Sequence, residues 1–353
     1  MKIGLKYFVA VIVIIFLSCN NKEGNKIVTY ISDSDFLSES VLNPNSLKEI
    51  NKSIFKPTFL DVSDSLLLIV DDTEEEKLKF FSTSHHRLKG SFGNTGEGPD
   101  EISGPLFMVH SALDEGGKIT MLDWGKKQLT QMFIQKILAG DKPAGDKAES
   151  KLTFLLPPEL IKVQRAAFID SNRVVGMGGL EQGKLFVHNI TSDSTSFSSF
   201  TPEDPGFWAE NIRGMGYIYF GHFVINNALE KIAVISRRFK RIEIYDFSLN
   251  LLSVTSFGKE TDQTELGENG KIRSDETIYY YSDIDHNEQY IYALHHGEKV
   301  KQFYQTDKGE STEIHKFDWD GNPLEKITLN NSDIRFLSVD EADNHIRLES
   351  GNC

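Results

Sequence analysis

Apolar residues along this chain recur in short alternating or β-branched runs, not at helical spacing, and Gly, Asp and Asn bound most of them. One unit repeats: a strand, a polar turn containing Asp or Asn, then a second apolar strand. It begins at Thr58 (TFLDVSDSLLLIVD), Phe107, Ala166, His222, Tyr280 and Arg335. The centres of the second strands, Leu68, Thr120, Val175, Ala233, Ile291 and Ile346, lie 52, 55, 58, 58 and 55 residues apart. Each period holds a further hairpin, for example IEIYDFSLNLLSVTSFG or EIHKFDWDGNPLEKITL with its Asp320-Gly321 turn. Four strands at a near-constant period of this length predict an all-β, six-bladed β-propeller with four-stranded blades over residues 26–353. An irregular β-sandwich carries no such period.

The sixth unit has only two strands before the sequence ends at Cys353. An open ring exposes strand edges, so a partner is required. KIVTYISDSD (Lys26 to Asp35) reads as a strand and LKEINKSIF as another. These N-terminal strands are expected to close the last blade as a clasp, and deleting residues 26–55 is expected to unfold the domain. Gln135 to Lys151, Thr201 to Tyr217 and Gly258 to Glu276 interrupt the pattern as polar loops, the second with one helical turn.

The first 18 residues follow another logic. Lys2 and Lys6 precede an unbroken apolar run from Tyr7 to Leu17, too short to span a bilayer and of signal-peptide length. The run ends at Leu17-Ser18-Cys19, which resembles a bacterial lipoprotein signal with Phe16 where leucine is usual. That resemblance implies cleavage before Cys19 and lipid on its thiol. Residues 19–25 are then a polar tether, and no Asp follows Cys19. The expected address is the outer membrane, lipid-anchored. Cys353 is the only other cysteine, and a structural disulfide is not expected. The formal charge of −14 removes the counterion-release drive for nucleic-acid binding.

Candidate chemistry is sparse. SFGNTGEGPDEI (91–102) has the glycines of a phosphate cradle, but its spacing is not G-x-G-x-x-G, no Lys-Ser/Thr follows, and Glu97, Asp100 and Glu101 repel phosphate. Positive-φ turns between blades account for these glycines. A structural calcium ion on Asn94, Glu97 and Asp100 is the one cofactor considered. Asp283-x-Asp285-x-Asn287 starts like a calcium loop but has Glu288 and Leu294 where Gly and Glu are needed. His85-His86 and His295-His296 are adjacent pairs, whose side chains leave a strand on opposite faces, so no metal site is assigned. No Gly-x-Ser-x-Gly or His-Glu-x-x-His occurs.

With this repeat, this signal and the element Phe92-Gly93, Gly96, Gly98-Pro99, Glu101, the chain resembles the TolB-like six-bladed β-propeller lipoproteins of Bacteroidetes. The resemblance implies the fold and an envelope location; it implies no reaction and no catalytic residue. Asp64-Ser65-Leu66 and Asp193-Ser194-Thr195 resemble the O-glycosylation acceptor sites of that phylum. In a propeller the first strand of each blade lines the central channel. Arg165, Arg213, Tyr219, His222, Tyr280, Asp283 and Arg335, with Trp208 in an adjoining loop, are therefore the candidate ligand-binding residues. The expected function is a non-enzymatic module that binds a protein or small ligand. The alternative is an envelope hydrolase or lyase acting on glycan or peptide, which would gather titratable groups with perturbed pKa values at the channel.

Overall fold

The computed structural model describes residues 27–42, 54–63, 65–72, 75–98, 101–110, 117–138, 151–200, 215–259, 263, 277–305, 312–330, 334–340 and 346–350. Two short strands come first, β1 (Val28–Tyr30) and β2 (Ser38–Leu42), joined through a 3-10 turn at Asp33–Asp35. Blade 1 is β3 (Pro57–Ser63), β4 (Leu66–Asp71), β5 (Glu76–Ser82) and β6 (Leu88–Asn94). Blade 2 is β7 (Leu106–Phe107), β8 (Lys118–Asp123), β9 (Gln128–Phe133) and β10 (Lys151–Leu155), and blade 3 is β11 (Val163–Phe168), β12 (Arg173–Gly178), β13 (Leu185–Asn189) and β14 (Ser194–Phe197). Blade 4 is β15 (Gly221–Asn226), β16 (Lys231–Ser236), β17 (Arg241–Asp246) and β18 (Leu251–Ser256). Blade 5 is β19 (Ile278–His286), β20 (Tyr290–Lys299), β21 (Thr312–Asp318) and β22 (Pro323–Leu329). Last come β23 (Ile334–Val339) and β24 (Ile346–Ser350), a two-stranded sheet.

Within the blades every ladder is antiparallel, and the six residues marking the sequence period fall on β4, β8, β12, β16, β20 and β24. The cores form between neighbouring sheets. Leu68 and Phe80 of blade 1 meet Ile119 and Met121 of blade 2. Corresponding clusters join blades 2 and 3, 3 and 4, and 4 and 5. Tyr292 and Leu294 of blade 5 meet Leu337 of β23, and Phe336 packs on the Leu60 cluster of blade 1. The ring therefore closes through the two-stranded sheet. Burying each such side chain stabilises the fold by roughly 1.5–3 kcal/mol.

Two expectations are corrected here. The described residues form five blades of at least four strands and one two-stranded sheet, not six four-stranded blades. The N-terminal strands do not close the last unit either. β1 pairs in parallel with β18, and β2 pairs in parallel with β22, so both are fifth, outermost strands on blades 4 and 5. Their burial explains this: Thr29, Tyr30 and Ser38 to Val41 are exposed, as suits an outer edge and not a closing strand buried on both faces. Among the described residues of this strap, Phe36 is the buried anchor, against Phe257, His315 and Phe317. LKEINKSIF lies mostly outside the described residues, as does Cys19.

The SFGNTGEGPDEI stretch links blade 1 to blade 2. Gly93 has φ +92° and packs so closely on Ile102 that a side chain there would collide with it. Ile102 is buried in the blade 1–blade 2 core and returns a backbone hydrogen bond to Asn94. A side-chain cation from blade 2 holds this loop: Lys126, in the β8–β9 turn, donates from Nζ to the carbonyls of Gly98 and Glu101 at 2.5 and 2.6 Å. Glu101 accepts the Gly98 amide at 2.7 Å. Of the calcium ligands considered for this loop, Asp100 lies outside the described residues.

Candidate functional site

Each sheet sends its innermost strand to the axis and brings polar groups there. Blade 1 supplies Asp61 on β3, blade 2 supplies His110 just after β7, and blade 3 supplies Arg165 on β11. Blade 4 supplies His222 on β15, and blade 5 supplies both Asp283 and Asp285 on β19, two residues apart and so on one face. The closing sheet supplies backbone amides: Leu337 donates to Asp283 at 3.0 Å and Val339 to Asp285 at 2.6 Å. Ring closure is therefore made partly by carboxylate side chains, a contact that no strand pattern reveals.

The lower half of this assembly is negative and closed. His110 Nε2 donates to Asp283, 3.2 Å from both carboxylate oxygens. Its Nδ1 lies 3.6 Å from Asp61 and 3.6 Å from Asp285. Burial opposes a charge on this imidazole, but Asp283 and Asp285 override it and hold its pKa well above the ordinary 6.5. Asp283 answers in kind. Burial alone would raise it, yet His110 and then His222 hold its carboxyl well below the usual range. His110 is thus an imidazolium set among three carboxylates.

The upper half is positive and open. Arg165 bridges three blades, donating to the carbonyls of Gly221 and Met108, each at 3.2 Å, and to His222 Nε2 at 3.0 Å. Arg237, just past β16, donates to the same nitrogen at 3.2 Å. Because Nε2 accepts from two guanidiniums, His222 is neutral, with its Nδ1 proton toward Asp283 at 3.5 Å. Burial, then Arg165, push its pKa well below 6.5. Burial and the neighbouring Arg237 bring Arg165 down to about 9, still charged at neutral pH. Neither guanidinium forms an ion pair among the described residues, and Arg237 Nε makes no hydrogen bond among them. Both face a cavity of about 270 Å³. Phe59, Phe107, Met108, Tyr279, Phe303 and Phe336 supply its apolar wall, and Arg335 joins the cationic side.

Of the residues singled out from sequence, Arg165, His222, Asp283 and Arg335 come together at this cavity. Tyr219 and Tyr280 do not. Tyr219 is buried against Phe239, close to Lys184 and Arg241. Tyr280 lies half-buried beside His295, and its neighbour Tyr279 lines the cavity instead. Trp208 and Arg213 lie outside the described residues. Sequence reasoning missed Asp61, His110, Arg237 and Asp285. For Asp61 and His110 a signal existed, an ionisable side chain inside an apolar first strand (FLDV, MVHS). Asp285 is hidden in the incomplete calcium-loop pattern Asp283-x-Asp285-x-Asn287; the turn there is made by Asn287, which accepts the amides of Gln289 and Tyr290.

Comparison with known proteins fits this architecture. The family model described as TolB-like 6-blade propeller-like matches residues 185–342, and so bears out the resemblance over that part of the chain. No curated protein matches the chain. Among solved structures, a member of the DUF4221 family from Bacteroides vulgatus aligns with TM-score 0.56 at 11% identity, covering 84% of this chain and 87% of that one. A protein from Bacteroides fragilis aligns at TM-score 0.46 and 13% identity, covering 84% and 80%. The Pan2 WD40 domain of Neurospora crassa aligns at 0.43 and 10%, covering 88% and 92%. At such identities the likeness concerns the fold alone.

Proposed function

Taking the chain as a TolB-like β-propeller, we propose that it binds a small organic anion at the channel mouth. The carrying observation is that two part-buried guanidiniums, Arg165 and Arg237, meet a neutral imidazole and a cavity but no carboxylate in ion-pair contact among the described residues. A buried guanidinium with no ion pair is costly, so the site favours a ligand that supplies one. Arg geometry suits a carboxylate or phosphate head group. The aromatic wall suits an apolar remainder, and about 270 Å³ limits that remainder to a small one. The test is a thermal-shift series with phenylacetate and inorganic phosphate on the full chain and on Arg237→Gln. A concentration-dependent rise in Tm that Arg237→Gln loses supports the reading; equal rises in both proteins refute it.

The enzymatic alternative has one observation in its favour, since His110, His222 and Asp283 are titratable groups with displaced pKa values at the channel. A general base, however, needs a free lone pair facing the substrate. His222 Nε2 is covered by two guanidiniums, and His110 is enclosed by carboxylates. Binding is therefore the better reading. We also read the β23–β24 sheet as the sixth blade of the ring. We further propose that the chain is cleaved before Cys19 and held at the outer membrane by lipid on that cysteine, on the strength of the N-terminal sequence.

A further inference from the structure

His295-His296 looks unpromising as a chelating pair, since the two side chains leave β20 on opposite faces. The ladder gives His295 other partners. In the β20–β21 register His295 stands directly opposite Glu313, and His315 follows two residues along β21. All three side chains therefore share one face, and their donor atoms lie within 4.8 Å of one another. One oxygen is common to the group: Glu313 Oε2 is 3.2 Å from His315 Nε2 and 3.4 Å from His295 Nδ1. Metal bonds of about 2.0–2.1 Å at a tetrahedral zinc centre set neighbouring donors about 3.3 Å apart.

His295 is 8% exposed, and neither of its ring nitrogens makes a hydrogen bond among the described residues. In a ring so enclosed, Nδ1 faces only the Glu313 carboxylate, at 3.4 Å, and Nε2 meets no polar partner among the described residues, so the ring has room for a further one. His315 is oriented from behind: the Tyr281 hydroxyl meets its Nδ1 at 3.0 Å, which leaves Nε2 toward Glu313. That is the outer-sphere arrangement that fixes a ligating imidazole. The nearby cation Lys240 is engaged by Asp33 at 2.7 Å. Phe36 of the N-terminal strap covers the His315 ring, and the Glu313 side chain keeps 22% exposure as the route in.

We propose that His295, Glu313 and His315 form a binding site for a divalent transition-metal ion of the zinc type, on blade 5 beneath the N-terminal strap. Two imidazoles and one carboxylate are an established donor set for such ions. The second triad of similar make-up, Asp61, His110 and Asp285, is a different case. There the imidazole already carries both protons and offers no lone pair.

The test is calorimetric titration of the chelator-treated full chain with ZnCl2, paired with the visible spectrum on adding CoCl2. We expect one equivalent to bind, with the d–d bands of a low-coordinate cobalt site. Glu313→Gln and, separately, His295→Gln should each weaken binding at least tenfold, while Asp61→Asn leaves it unchanged. The melting temperature in chelator checks that each variant is folded, and either glutamine variant alone suffices. Undiminished binding in both glutamine variants overturns the proposal, as does loss confined to Asp61→Asn. No saturable binding by the unaltered chain overturns it too.

Discussion

The two halves of the axial assembly share Asp283 yet resolve their charges in opposite ways. Below, three carboxylates surround one imidazole, and the protein supplies the counter-charge itself by keeping His110 protonated. Above, guanidiniums surround one imidazole, and the imidazole gives up its charge. Two axial histidines, His110 just after the inner strand of blade 2 and His222 on that of blade 4, therefore take opposite protonation states because their neighbours differ in sign. The half built on carboxylates is closed and keeps an excess of negative charge. The half built on guanidiniums opens onto a cavity, and their want of an ion pair among the described residues is what a ligand would answer.

The strongest test of this contrast is Asp283→Asn, which removes the shared group. It leaves His110 short of a partner, takes a counter-charge from the mouth and weakens the anchor for the Leu337 amide. Losing one partner of a buried pair costs about 3–5 kcal/mol, so urea denaturation should show a loss of that size. A loss below about 1 kcal/mol would break the account of the closed half.

The next effect is pH-dependent. The folded-state pKa of His110 lies above its unfolded value of 6.5. Its contribution is therefore complete below about pH 6.5 and is lost as the pH rises through the folded value. His222 and Asp283 have the reverse sign, with stability that is lost as the pH falls through their lowered folded values. His110→Gln should flatten the alkaline decline of stability measured by urea denaturation across the pH range. An alkaline limb identical to the parent's would contradict the imidazolium assignment.

The smallest effect sharpens the other side of the comparison. Arg165→Met removes a buried charge that has no ion-pair partner among the described residues, and keeps much of the volume. Ligand-free stability should hold or rise by about 1 kcal/mol in urea denaturation, since well-packed apolar replacements of buried charge are often neutral or stabilising. A loss of 2 kcal/mol or more, on the order of a broken buried pair, would mean that Arg165 serves the fold and not a ligand.

Much of the fold was legible because period-2 alternation and Asp/Asn turns repeat at 52 to 58 residues, and each marker residue lands on a second strand. Closure was not legible. It depends on Asp283 and Asp285 reaching the Leu337 and Val339 amides, and on an outer strap that pairs in parallel. Alternation alone cannot say which sheet a short strand joins. At the site, Arg165, His222, Asp283 and Arg335 could be found because they stand on first strands. Arg237 sits just past a second strand, and the register shifts on either side of Tyr281 obscure which of the neighbours Tyr279 and Tyr280 faces the cavity. His295 and Glu313 meet across a ladder whose register no single strand reveals.

The central claim is that the charge left over at the channel mouth is a binding site. Isothermal titration of the full chain with phenylacetate at pH 7 tests it most directly, run beside the Arg165→Met, Arg237→Gln double variant. The account predicts saturable one-site heat for the unaltered chain and at least a tenfold loss of affinity in the double variant, which remains folded. Equal heats in the two proteins, or none in either, would contradict it.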